Sequence, residues 1–235
     1  MSQKINILYL GAFPSTKLIK SSKGKIDSLY RATQTMIKAL RELPNVNIKI
    51  ITSPDIKSFP HNKIYFKRMY DDIDDVTMVS SLNISIIKQM WTIFSMAKEC
   101  IKLIRRNNDK TVIIIPYMVF RHVATLRLIK LLCGKKVKAC MVVPDIFFPK
   151  AKISKFLNNL TERMGRKNDY FILYTKSMAD YLEINNKPYI VIEGYKDVIP
   201  QKINNNTDKL IVTYAGSLAI KYGILRLVDA MKFID

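Results

Sequence analysis

The chain has 235 residues, enough for one large or two small domains. A hydrophobic content of 49% with 25% charged residues is that of a globular protein able to bury a core, which excludes a disordered or low-complexity chain. Lys+Arg number 39 against 19 Asp+Glu, a formal charge of +20 that calls for an anionic partner: lipid headgroups, nucleic acid or phosphorylated ligands.

The longest apolar run, Val112 to Phe120, contains Pro116 and falls well short of the ~20 residues of a membrane span. The opening MSQKINILYLGAF reads as a first strand, not a signal peptide. Cys100, Cys133 and Cys140 form no C-x-x-C pair, so reduced thiols in a cytoplasmic protein are expected.

Lys4 to Leu10 is the first predicted strand, followed by Gly11-Ala12-Phe13-Pro14 and a polar loop to Lys25. A helix should follow with Ile26, Leu29, Tyr30, Thr33, Ile37 and Leu40 on one side. Pro44-Asn45 ends it, and Val46 to Thr52 is the second strand. Strand, glycine loop and helix make a Rossmann opening. G-x-G-x-x-G is absent and no G-K-[ST] closes the loop, so it is neither a dinucleotide fingerprint nor a P-loop. Pro54 to Ser80 is polar and irregular. Its Asp71, Asp72, Asp74 and Asp75 offer hard oxygens that suit Mg²⁺ or Mn²⁺, but without a flanking apolar strand they read as a solvated turn.

Ser85 to Arg106 is the longest predicted helix, read first as a crossover packed on the sheet through Ile86, Met90, Ile93, Phe94, Ala97, Ile101 and Ile104, with Trp91 beside that stripe, and second as a membrane-surface helix. Thr111 to Met118 is almost fully apolar and therefore a central strand. Arg121 to Leu132 reads as a basic amphipathic helix stopped by Gly134, and Val137 to Val143 as the next strand. That strand runs into Pro144-Asp145. A carboxylate just past the carboxyl end of a parallel strand lies where doubly wound sheets hold ligands, which makes Asp145 the catalytic or acceptor-binding candidate; the other reading is a turn residue beside prolines. Lys150 to Lys167 is a second basic helix, with Ile153, Phe156, Leu157, Leu160 and Met164 as its apolar face. Between Arg121 and Lys167 twelve basic residues face two acidic ones, and the two helices are expected to lie on anionic lipid.

Tyr170 to Thr175 is a strand, Lys176 to Leu182 begins a short helix, and Tyr189 to Glu193 is a strand ending at Gly194. Gln201 to Asp208 reads as a linker, which divides the chain into a first domain over 1–200 and a segment over 209–235. There Leu210 to Ala215 is a buried strand, Gly216-Ser217 a turn, and a helix follows from Tyr222 with Ile224, Leu227, Val228, Met231 and Ile234 on one face. Such a turn offers backbone N–H groups and a helix N-terminus to a phosphate, and Lys221 stands just before the helix. Strands alternate with helices from end to end, so the fold class is α/β with a parallel sheet, Rossmann-like.

Two stretches carry a resemblance: "DYFILYTKSMADYL…YIVIEGYKD" and "YAGSLAIKYGILRLVDAM". Both look like bacterial glycosyltransferases of the two-Rossmann-domain (GT-B) architecture, the retaining nucleotide-sugar type. The first resembles the close of the acceptor-side domain, with Glu193 and Gly194 at the domain crossing. The second resembles the opening of the donor domain, with Gly216, Ser217, Lys221, Gly223 and Ala230 on the family pattern. Ser217 stands where the family often has arginine, and Tyr222 separates Lys221 from Gly223. By the same resemblance Gly11 and Gly24 belong to the acceptor-side loop.

The resemblance implies transfer of a sugar from a nucleotide-sugar donor to a lipid-linked or saccharide acceptor, in cell-surface polysaccharide or glycolipid synthesis. It implies no metal and no further cofactor. Residues 209–235 hold one βα unit of a donor domain, so a truncated or split enzyme is expected, peripheral on the inner face of the cell membrane. The alternative is a non-catalytic basic α/β module that binds nucleic acid or anionic membrane. Basic residues on helices, without an aromatic-basic strand pattern, speak against nucleic acid.

Overall fold

A computed structural model describes residues 5–13, 28–54, 57–72, 74–107, 109–116, 119–146, 152–193 and 223–233. The chain divides into two compact units, Met1–Asp197 and Val198–Asp235. The first unit is built on β1 (Ile5–Leu10), β2 (Val46–Thr52), β5 (Val76–Met78), β7 (Thr111–Pro116), β8 (Val137–Val143), β9 (Tyr170–Leu173) and β10 (Tyr189–Val191), all parallel. A short β4 (Met69–Asp71) adds antiparallel to β5, and β3 (Tyr65–Phe66) pairs with β6 (Ser81–Leu82) in a separate ribbon. The sheet runs β10-β9-β8-β7-β1-β2-β5-β4. Counting only parallel strands in chain order, β5-β2-β1-β7-β8-β9 is the 3-2-1-4-5-6 order of a Rossmann fold, with β10 added beyond it.

Alternation along each strand explains why both sheet faces are covered. Ile7, Tyr9, Ile50, Ile114, Cys140 and Val142 pack on one face, where α1 (Ser28–Arg41) contributes Met36 and Ile37. Leu8, Leu10, Ile113, Ile115, Met141 and Val143 pack on the other. There α2 (Ser85–Arg106) inserts Met96, Ala97, Cys100 and Ile104, and α3 (Phe120–Cys133) inserts Val123, Leu126 and Ile129. Each such Val, Leu, Ile or Met side chain, removed from water, contributes ~1.5–3 kcal/mol before chain entropy is set against it. The same face carries α5 (Ser177–Tyr181) through Met178 and Ala179, while α4 (Lys152–Gly165) packs beside α3.

At the amino edge one carboxylate ties strands to helix. Asp169 Oδ2 accepts from the Ala139 N–H at 2.7 Å and from Lys130 Nζ of α3 at 2.7 Å, while the Asp169 N–H donates to the Ala139 carbonyl. Beside it Arg127 donates to Asn168 Oδ1 at 2.6 Å, and Lys187 Nζ to the Asn168 carbonyl at 2.9 Å.

Several sequence expectations change. In α2, Met90 and Phe94, expected against the sheet, are 51% and 57% exposed. The stretch from Pro54 to Ser80 is not simply irregular, since β5 and β4 extend the main sheet as a hairpin. The helix read over Arg121 to Leu132 is less a surface element than expected: α3 buries His122, Val123, Thr125, Leu126 and Ile129 and is flanked by α2 and α4. In α4 the apolar face is only partly buried, with Met164 packed against the core. Phe156 is 67% and Leu157 41% exposed, whereas Thr161 and Glu162 are buried.

In the second unit Gly223 has φ +77°, a left-handed turn that glycine adopts without a Cβ penalty, and it leads into α6 (Ile224–Ala230) and a 3₁₀ turn over Met231–Phe233. The linker and the strand expected at Leu210 to Ala215 lie outside the described residues. No helix among the described residues is long and apolar enough to cross a membrane.

Candidate functional site at the carboxyl edge of the sheet

Parallel strands deliver their chain ends to one edge, and ligands bind there where neighbouring connections depart to opposite faces. In this sheet that switch point lies between β1, which leads to α1, and β7, which leads to α3. Gly11 leaves β1 at this point, buried, its N–H donating to the Ile51 carbonyl at 3.2 Å. A Cβ here would meet Pro116 Cγ at 2.5 Å and Cδ at 2.7 Å, so the two central strands approach closely only because residue 11 is glycine.

The loop after Gly11 is held by side chains. Tyr9 is fully buried and meets Phe13 edge-on, with ring centroids 6.4 Å apart and planes at 71°. The Tyr9 hydroxyl donates to Thr33 Oγ1 of α1 at 3.4 Å, and the Phe13 N–H donates to Thr52 Oγ1 at the end of β2.

Across the switch point α3 begins with Arg121 and His122 in its first turn, and no side chain caps its N-terminus. Arg121 Nε donates to His122 Nε2 at 3.4 Å, which leaves the neutral ring its proton on Nδ1. The Pro116 carbonyl acts on that ring as a favourable dipole, although Nδ1 reaches no full hydrogen-bond geometry. Burial, then the neighbouring Arg121 charge, lowers the His122 pKa to about 3. Neutral His122 therefore supports a guanidinium beside the central strand. Sequence reasoning missed this pair because neither residue forms part of a spaced motif; the signal was their place just past a central strand.

Two predicted residues follow closely on aligned strand ends. Val143 of β8, Leu173 of β9 and Val191 of β10 are aligned neighbours. The Tyr174 N–H to Val143 carbonyl bond and the Ile192 N–H to Leu173 carbonyl bond carry the ladder one residue further. One more step reaches Asp145, Thr175 and Glu193, all exposed. Asp145 Oδ1 accepts from the Ile146 N–H at 2.7 Å, and Ile146 packs against the core, so the carboxylate hangs from an anchored residue. Thr175 and Ser177 add paired hydroxyls at 3.0 Å.

Other predicted positions fall elsewhere. The aspartate cluster forms the β4–β5 turn at the amino end of β5: Asp75 accepts from the Tyr70 hydroxyl at 2.7 Å, and Arg41 donates to the Asp74 carbonyl. The hydrogen bond to Asp75, ahead of desolvation, raises the Tyr70 pKa. No cluster of metal-ligating side chains occurs among the described residues. Gly24, Gly194, Gly216, Ser217 and Lys221 lie outside them, while Gly223 precedes α6. Burial raises the Cys100 thiol strongly and pushes Cys140 up to about 12, so both stay protonated and are poor nucleophiles.

The first unit is a mainly parallel, doubly wound α/β domain with a polar carboxyl edge. No family model and no curated protein matches the chain. Among solved structures it is similar to one described as "Trehalose-6-phosphate from E. coli bound with UDP-2-fluoro glucose", with 12% sequence identity and a TM-score of 0.40. The match covers 76% of this chain and 42% of that one, so the chain spans less than half of that protein's length.

Proposed function

We propose that the chain is the acceptor-side part of a glycosyltransferase that moves a sugar from a nucleotide donor to a lipid-linked or saccharide acceptor. The observation that carries this reading is the Rossmann strand order, with Asp145 two residues past β8 and Glu193 two residues past β10 at the carboxyl ends of the strands. The similarity of residues 170–197 and 209–230 to GT-B glycosyltransferases supports it. In this reading the first unit takes the acceptor, and Asp145 orients or deprotonates its hydroxyl. Gly216, Ser217, Lys221 and Gly223 face the donor diphosphate. Backbone N–H groups and one lysine neutralise charge on the leaving group, and that electrostatic stabilisation requires no metal. Ser217 supplies a neutral contact, weaker than a guanidinium.

The test is sugar transfer from UDP- and GDP-sugars by the chain joined to a complete donor-binding domain. Asp145→Asn keeps size and hydrogen bonding but removes the base, and kcat should fall about 10²–10⁴-fold. Lys221→Ala should change donor KM or kcat about tenfold or more, since charge-assisted contacts contribute ~1.5–3 kcal/mol. Near-wild-type turnover in Asp145→Asn would make that residue a turn element. Absence of both transfer and nucleotide-sugar binding would overturn the reading.

A further inference from the structure

Helix α2 turns one stripe to solvent along most of its length. Ile87, Met90, Trp91 and Phe94 occupy the first half, with Phe94 57% exposed. From Lys98 the stripe becomes cationic through Lys102, Arg105 and Arg106, all exposed. Beside it a groove of about 680 Å³ runs between α2 and α3, lined by Phe94, Leu128, Leu132 and those four cations, with no carboxylate in its walls. Leu131, next to Leu132, is 80% exposed. Scattered exposed apolar residues are ordinary, but contiguous ones mark contact surfaces.

We propose that this α2–α3 face docks on an anionic lipid bilayer. Its apolar side chains enter the headgroup–acyl boundary, and its cations pair with headgroup phosphates. Charge and apolarity together select this occupant. Nucleic acid would satisfy the cations but leave Met90, Trp91, Phe94 and Leu131 against water. An apolar protein surface would cover those side chains but bury four cations lacking a groove carboxylate. A bilayer edge offers both layers at the depth a helix lying flat requires. On sequence alone a membrane surface is the second reading of α2 and the first of α3 and α4; α3 spends its best apolar positions on the core, and the exposed stripe lies on α2. It stands independently of sugar transfer.

The experiment uses the 235-residue chain with phosphatidylglycerol and phosphatidylcholine vesicles, and duplex DNA as competitor. Trp91 is the single tryptophan of the sequence, so its emission reports this face alone. The expected result is binding to phosphatidylglycerol over phosphatidylcholine, weakened by salt. Trp91 emission should shift to the blue and be quenched by brominated acyl chains. Lys98→Glu, Lys102→Glu and Arg105→Glu together should weaken binding about a hundredfold. Phe94→Ser should reduce the blue shift, with circular dichroism unchanged in both variants. Binding to phosphatidylglycerol with unaltered Trp91 emission would place docking elsewhere and overturn the proposal. Equal binding to both lipids, or DNA binding without vesicle binding, would also overturn it.

Discussion

Protonating His122 would put a charge into a site that is 1% exposed and already borders the Arg121 guanidinium. Its folded pKa of about 3 lies below the ordinary 6.5, so the unfolded chain binds the proton first. The stability contributed by neutral His122 is therefore complete above pH 6.5 and is lost as pH falls from there towards 3. The slope can reach ~1.4 kcal/mol per pH unit. His122→Gln keeps an acceptor towards Arg121 without the titration, and should flatten the urea midpoint between about pH 7 and pH 4. An unchanged pH dependence would assign the acid sensitivity to other groups. Gly11 gives a steric prediction: an alanine Cβ would press on ring carbons of Pro116 that cannot swing away. Gly11→Ala should cost ~1–3 kcal/mol, read as a lower urea midpoint, and a neutral result would mean that β1 and β7 separate freely.

At the scale of elements, Asp169 bonds α3, β8 and β9 together. Desolvation raises its pKa, but the Lys130 hydrogen bond, the Ala139 N–H and the Lys130 and Lys138 charges together outweigh it and leave the pKa lowered. Its contribution is present above the unfolded value of ~3.9 and is lost as pH falls below that. Asp169→Ala should cost ~2–3 kcal/mol by thermal or urea unfolding, and Asp169→Asn less, because the amide oxygen still accepts from Ala139. Equal costs would mean that the Ala139 hydrogen bond contributes nothing and the charge carries the whole effect, whereas a cost-free Asp169→Asn would mean that the charge contributes nothing. The elements themselves differed in legibility. β1, β2, β7 and β8 announce themselves as uncharged or nearly uncharged apolar runs because they are buried on both faces. β5 has three residues, too few for a period, and α4 buries Thr161 and Glu162 where the apolar pattern pointed to Phe156 and Leu157. Asp145 and Gly11 could be found from strand ends alone. Arg121 and His122 stand just past a strand legible as central, but their importance depends on β7 being the strand beside β1, which no local pattern states.

For the whole molecule the governing number is the formal charge of +20, half of it between Arg121 and Lys167. Two electrostatic effects oppose each other. Pairs such as Arg68–Glu99 at 2.9 Å and Lys130–Asp169 at 2.7 Å favour the fold and weaken as salt is added. Excess positive charge disfavours the compact state and is relieved by the same salt. Exposed pairs contribute only ~0–1 kcal/mol each, whereas twenty uncompensated charges repel one another across the whole surface. Repulsion should win. Raising sodium chloride from about 0.01 M to about 0.1 M shortens the screening length from ~30 Å to ~10 Å, comparable to the spacing of neighbouring helices. The thermal midpoint of the chain should rise by several degrees over that range. Choline chloride at the same ionic strength should match it, since screening does not depend on which cation accompanies the chloride. A midpoint that falls with salt would show that the ion pairs outweigh the repulsion.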